Sequence, residues 1–157
     1  MRLTVYTDYA LRLLMFLAVK QDGLATIAEV AESYGVSKNH MMKVAHQLGV
    51  AGYVETVRGR SGGLRLAKPA ASINLGDVVR RTEQDMALVP CFEPGDASCT
   101  ISPCCTLRHA LAEAADAFMG VLDGYSLSDL VKPRAPLIRL LAIKPAVRPR
   151  GAERARS

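Results

Sequence analysis

The sequence predicts a mainly α-helical chain with a β-hairpin wing: a winged helix-turn-helix plus a long dimerisation helix. Three observations predict it. Three amphipathic helical segments open the chain, and the second and third are parted only by "YGVS", which is helix-turn-helix spacing. Two short β-rich runs follow, joined by the basic, glycine-rich turn "RGRSGG", a hairpin signal. Further on, an apolar stripe recurs from roughly Thr106 to Asp123 and exceeds what one small winged helix needs for its own core.

The elements follow in order. "TDYALRLLMFLAVKQDG" is a helix that Thr7 can cap and Gly23 closes, with apolar residues at Ala10, Leu13, Leu14, Leu17 and Ala18. In "ATIAEVAESYG", Thr26 and Glu29 are spaced as a capping box, and Gly35 ends the helix. "VSKNHMMKVAHQLGVAG" restarts at Ser37 as N-cap and carries the inward stripe Met41, Val44, Ala45 and Leu48. The hairpin strands are Tyr53–Val57 and Leu64–Ala67, and Asn74 caps a short helix in "NLGDVVRRTEQD". Pro90, Pro94, Gly95 and Pro103 then impose irregular backbone before the long helix, after which "SLSDLVK" and "PLIRLLAI" read as two more short helices. The expected organisation is a winged helix-turn-helix over 1–83, a cysteine segment over 84–105, the dimerisation helix and short helices over 106–143, and a disordered basic tail over 144–157.

Charge sharpens this division. The net charge is +5, but residues 132–157 carry eight of the 20 Lys/Arg and one of the 15 Asp/Glu, leaving twelve against fourteen in residues 1–131. Ser37–Lys68 nevertheless holds six Lys/Arg and the single acid Glu55, a local patch that points to a polyanionic partner. Reading a major groove needs hydrogen-bonding side chains on the exposed first turn of a helix, and Ser37, Lys38, Asn39, His40 and Lys43 supply them. Arg58, Arg60, Ser61 and Gly62 occupy the wing turn, where arginine suits a narrow minor groove and glycine lets the backbone approach a phosphate. The other reading of these cations is a solvated face. Double-stranded DNA is the expected partner because helix-turn-helix and wing occur together. His40 either touches DNA or is solvated, and His46 is read as structural.

No segment approaches the roughly 20 apolar residues of a membrane span. Leu13–Val19 is too short and too charged at its flanks for a signal peptide, so a cytoplasmic location and no membrane partner are expected. Thiols there are normally reduced. All four cysteines nonetheless fall within "CFEPGDASCTISPCC", in the pattern C-x7-C-x5-C for Cys91, Cys99 and Cys105, with Cys104 beside the last. No C-x-x-C pair of the common zinc type exists. Spacing alone leaves an iron–sulfur cluster, zinc, thiol redox chemistry and inert cysteines open. His109 could reach a metal held at Cys105, or could be an ordinary polar position on the long helix. Nothing resembles a nucleophile–base pair, a phosphate loop or paired acids in a cleft, so no enzyme is expected.

The residues from "MRLTVYTDYALR" through "AEVAESYGVSKNHMMKVAHQLGVAGYVETVRGRSGGLRLAKP" to "YSLSDLV" and "PLIRLL" resemble the iron–sulfur winged-helix repressors, the family that includes the IscR, NsrR and RirA types. The resemblance implies a homodimer on operator DNA with one iron–sulfur cluster, of the 4Fe–4S type, per subunit. It also implies Cys91, Cys99 and Cys105 as cluster ligands, the C-x5-C-x-L match selecting Cys105 over Cys104. IscR-like members carry a histidine where this chain has Leu107. NsrR-like members share the opening "TDY", whose aspartate maps onto Asp8 as a fourth ligand given across the dimer; without the resemblance, Asp8 reads as an ion-pair partner of Arg12. The long Cys91–Cys99 spacing is also RirA-like, but RirA-like chains tend to lack this aspartate, so the NsrR type is favoured. It implies nitric oxide as effector, with iron or cluster status, or zinc or thiol-redox regulation on the same scaffold, as alternatives.

Overall fold

The computed structural model describes residues 2–20, 23–92 and 99–143. The expected tail over 144–157 lies outside the described residues. The elements are α1 (Val5–Val19), α2 (Ile27–Tyr34), α3 (Lys38–Val50), β1 (Val54–Val57), β2 (Gly63–Leu66), α4 (Leu75–Thr82), α5 (Thr106–Asp123), α6 (Leu127–Leu130) and α7 (Arg134–Leu140). Single 3-10 turns fall at Ala70–Ser72, Pro90–Phe92 and Ser102–Cys104.

α1 runs through the middle of the core. Its predicted stripe is buried, and Phe16 and Val19 are buried as well. Its ends differ from expectation. The N-cap is Thr4, not Thr7: Thr4 is extended and its hydroxyl accepts from the Thr7 amide at 3.2 Å. Thr7 is instead buried and donates its own hydroxyl to Thr82 Oγ1 at 2.9 Å. Either threonine can satisfy an N-terminal amide locally; packing against α4 decides between them. At the other end the helix stops at Val19, before Gly23, and the Val19 carbonyl accepts from Arg134 Nε and Nη2 at 3.2 and 3.1 Å. A guanidinium is a favourable partner for a helix's unpaired C-terminal carbonyls.

α2 has the expected capping box. Thr26 Oγ1 accepts from the Glu29 amide at 3.2 Å, and Glu29 Oε2 accepts from the Thr26 amide at 2.7 Å. Gly35 ends it with φ 63°, the left-handed region that glycine enters without strain. α3 packs on α1 and α2 through Met41, Val44, Ala45 and Leu48, all buried, as its spacing predicts. His46 departs from expectation: it is exposed. β1 and β2 pair antiparallel with Val54 opposite Leu66 and Val57 opposite Gly63. Ala25 adds a bridge to Leu64, which ties the hairpin to the residues before α2.

The chain beyond the wing then returns to this core. Leu127, Val131 and Leu141 join the α1 cluster, and Ser33 Oγ donates to the Leu141 carbonyl at 2.8 Å. α5 stands apart, because none of its residues is buried. Its C-terminal end is nevertheless fixed. Asp123 receives Arg80 Nη1 and Nη2 at 2.8 and 2.6 Å, and its carbonyl accepts from Asn74 Nδ2 at 2.7 Å. Gly76 makes room for that carboxylate, since a Cβ there would overlap Asp123 Oδ1.

Glu29 carries a pH dependence. Burial pulls its carboxyl upward, but hydrogen bonds from Lys20 and Thr26 outweigh burial and hold it below the ordinary value of 4.5. Stability from a lowered carboxyl is present above the unfolded value and disappears as pH falls through the folded one. Lys20, only 8 % exposed, would lose its partner in Glu29→Gln. After allowing for the greater exposure of Glu29, that variant is expected to lose about 1 kcal/mol near neutral pH. The difference from the parent should shrink below about pH 4. Urea midpoints measured across that range check it; a difference that ignores pH overturns it.

Candidate functional site

Two regions carry the predicted site residues. The first is the α3 N-terminus with the wing. Ser37 caps α3 by backbone conformation alone, without a side-chain hydrogen bond, so its hydroxyl is free to donate outward. Ser37, Lys38, Asn39, His40 and Lys43 are all exposed, while the opposite face of α3 is buried. The His40 ring lies 6.3 Å from that of Tyr9 on α1, which ties the first turn of α3 to the first helix. In the wing turn Arg58, Arg60 and Ser61 are exposed and Gly62 is half-buried. A Cβ at Gly62 would overlap the Val57 carbonyl, and Gly59 takes φ 121°. The turn's own backbone therefore requires glycine there, whatever approaches from outside.

Among the described residues, Lys38, Lys43, Arg58 and Arg60 enter no ion pair, whereas Arg65 in the strand is held by Glu55 at 3.0 Å. These four uncompensated cations sit on the helix start and the turn, and the strand cation is neutralised. Such an arrangement can neutralise phosphates and present donors to base edges.

The second region holds the cysteines. Cys91 lies in the Pro90–Phe92 turn. The Cys99 carbonyl accepts from the Ser102 amide at 3.1 Å. Cys104 ends the next 3-10 turn, and Cys105 is the N-cap of α5, its Sγ accepting from the Arg108 amide at 3.3 Å. All four thiols are free; Cys104 is exposed and the other three are partly buried. A concavity of about 780 Å³ lies against Cys104, Cys105, Arg108, His109, Met86 and Phe92, but Cys91 and Cys99 do not line it.

Among the described residues, no three His, Cys, Asp or Glu side chains are gathered as a metal-binding group. The donor chemistry does fit an iron–sulfur cluster. Three free sulfurs lie on irregular backbone, and one is positioned by a helix amide; hydrogen bonds of that kind tune clusters held by cysteine. Asp8 is turned to its own helix, with Oδ1 accepting from Arg12 Nε at 2.9 Å, and Arg12 also lies 5.6 Å from the Tyr34 ring centroid. His109 is exposed on the first turn of α5.

Some features of the site carried no sequence signal. Arg80 and Asp123 are 43 positions apart, and Thr7 and Thr82 are 75 apart. Tyr9 beside His40 is equally a product of packing.

Three comparisons bear on this geometry. The family model described as Rrf2, iron-dependent transcriptional regulator, matches residues 3–133. The HTH-type transcriptional regulator NsrR of Bacillus subtilis (strain 168) is 52% identical over 145 residues, which is 92% of this chain and 99% of that protein. Among solved structures, CymR, the global cysteine regulator of B. subtilis, superposes with a TM-score of 0.70 at 25% identity, covering 85% of this chain and 98% of that one. IscR of T. potens superposes with a TM-score of 0.67 at 24% identity, covering 85% and 88%, and likewise has this fold.

The unequal exposure of the thiols can be read directly. In metal-depleted, reduced protein, limiting N-ethylmaleimide should modify Cys104 before Cys105, as peptide mass spectrometry would report. Faster labelling of Cys105 would contradict its place under the first turn of α5.

Proposed function

The chain belongs to the Rrf2 family of transcriptional regulators, and from that premise we propose that it is a homodimeric, cytoplasmic repressor that grips double-stranded operator DNA, holds one 4Fe–4S cluster per subunit and releases DNA in response to nitric oxide. The observation that carries this reading is the near full-length match at 52% identity to a regulator named NsrR. The relatives it matches regulate transcription and are not enzymes. No helix among the described residues is long and apolar enough to cross a membrane.

Each residue has a part that follows from its setting. Ser37, Lys38, Asn39, His40 and Lys43 would enter the major groove, since they are the exposed polar side of a helix whose other side is core. Arg58, Arg60, Ser61 and Gly62 would lie along the adjoining backbone or minor groove. α5 supports pairing with a second copy: it is 18 residues long, about 27 Å of helix, and leaves Leu107 and Val121 more than 60% exposed. The chain supplies Cys91, Cys99 and Cys105 as soft ligands, and Asp8 would be the hard fourth ligand, given across the dimer. When bound, the cluster supplies iron that nitric oxide can ligate.

Asp8 and Arg12 connect that site to the reading head. Asp8 accepts from Arg12 through Oδ1 at 2.9 Å, and moving this carboxylate toward iron in the partner subunit would change that bond's geometry and strength. Arg12 lies three residues, about one turn, after Tyr9, which packs against His40, so exchange between the two partners of Asp8 bears on the α1–α3 contact. The required coupling is modest: a 10- to 100-fold change in DNA affinity is about 1.4–2.7 kcal/mol. The family's description as iron-dependent favours a second reading, in which loss of iron is the signal.

Two experiments test the proposal. Anaerobically purified protein should be brown and contain iron and acid-labile sulfide. Cys104→Ser should keep that spectrum, and serine at Cys91, Cys99 or Cys105 should abolish it. Nitric oxide should release operator DNA faster than an iron chelator; the reverse order supports the iron-status reading, and colourless protein with full operator affinity overturns the cluster. Separately, Arg58→Ala should weaken DNA binding across sequences and lower the salt slope by about one, while leaving the visible spectrum unchanged. Binding indifferent to salt would remove the wing from the interface.

A further inference from the structure

A second cleft adjoins the first region without including its predicted residues, where the C-terminal half of α3, the start of β1, the N-terminus of α1 and the end of α4 meet. Its volume is about 400 Å³, within the range of small-molecule sites. Gln47 lies nine residues along α3 from Lys38 and four, about 6 Å of helix, beyond Lys43.

The chemistry of its wall is one-sided. Tyr6, Gln47, Tyr53, Arg81 and Gln84 face it, with Leu48 and Ala51 as an apolar floor, and no carboxylate lines it. None of those five polar side chains has a hydrogen-bond or ion-pair partner among the described residues. Tyr53 is only 3% exposed, and it lines the cleft. Burial raises both phenols above their ordinary value, which keeps them protonated as donors at neutral pH.

Two cations also converge on one ring. Lys68 Nζ lies 4.5 Å and Arg81 Cζ 5.9 Å from the Tyr53 ring centroid, and neither is in an ion pair among the described residues. Of the flanking acids, Glu83 accepts from the Thr4 amide and hydroxyl, whereas Asp77, 3.6 Å from Arg80, is near enough for its charge to help raise the Tyr53 phenol. Positive charge, several free donors and a small apolar floor are complementary to an anion with a compact organic body.

We infer that this cleft is a binding site for a small organic oxyanion, a carboxylate or a phosphate ester, seated on Arg81 and the hydroxyls of Tyr6 and Tyr53, with Lys68 adding charge behind the ring. The site uses none of the cysteines and none of the residues proposed to touch DNA, so its failure leaves the proposed function standing.

The test is a titration of the full chain with benzoate, phenyl phosphate and, as a neutral isostere, benzamide, by calorimetry and by backbone amide chemical shifts. Saturable shifts should concentrate on residues 47–53, 81–84 and Tyr6, with benzamide at least ten-fold weaker than benzoate. The relative affinity of benzoate and phenyl phosphate then tells a carboxylate from a phosphate ligand. Arg81→Gln, at an exposed position, should weaken the anions at least ten-fold. The localisation of the shifts in the parent protein tests the site even if that variant folds poorly. Absence of saturable binding by either anion, equal binding of benzamide, or affinity untouched by Arg81→Gln overturns the inference. So does protection of these same residues by DNA of any sequence without small-anion binding, which would assign the cations to the nucleic-acid backbone.

Discussion

Leu13, Leu14, Phe16 and Leu17 of α1 are withdrawn from water on more than one side of a single helix, and α2, α3, α4, α6, α7 and β2 are all placed by contact with it. Each such side chain contributes on the order of 1.5–3 kcal/mol on burial, so the position of α1 is expensive to change and its neighbours inherit that stiffness. The polar face of α3 is outward because Met41, Val44, Ala45 and Leu48 must face α1 and α2. The wing is held close for the same reason, through Tyr53, Val54 and Leu64 in the same cluster.

The cysteine segment obeys the opposite rule. Between α4 and α5 the described backbone offers short 3-10 turns, and none of the residues in those turns is buried. A segment without its own core takes its shape from what its side chains bind, which is how a metal site differs from a packed one. α5 behaves similarly along its length, with an apolar stripe of which the described residues bury no member. Burial in one chain therefore accounts for the winged helix. In the proposed function, cofactor and second copy would organise the rest.

The two parts are joined at identifiable places. Asp123, Arg80, Asn74 and Gly76 lock the end of α5 to α4, and Thr4, Thr7, Thr82 and Glu83 lock α4 to the start of α1. From there Tyr9 reaches His40 on α3. A displacement at the Cys105 end of α5 thus has a route of hydrogen bonds and packing to the first turn of α3, which we propose reads DNA. The route also passes beside the cleft bounded by Tyr6, Tyr53 and Arg81.

The sequence by itself determined what depends on near neighbours in the chain. The Thr26–Glu29 capping box, the Gly35 stop, the buried stripe of α3, the hairpin with its basic turn and the extent of α5 are all set by spacings of a few residues. The physics of helix caps, turns and amphipathic periods acts over that range. What needed the tertiary structure was every choice between locally equivalent options, and every pairing between distant segments. Thr4 and Thr7 could each cap α1, and only the position of Thr82 turns Thr7 inward. Arg80 meets Asp123, and Lys68 and Arg81 share the Tyr53 ring, because packing around α1 brings α4, β1 and α5 together; no periodicity encodes those contacts.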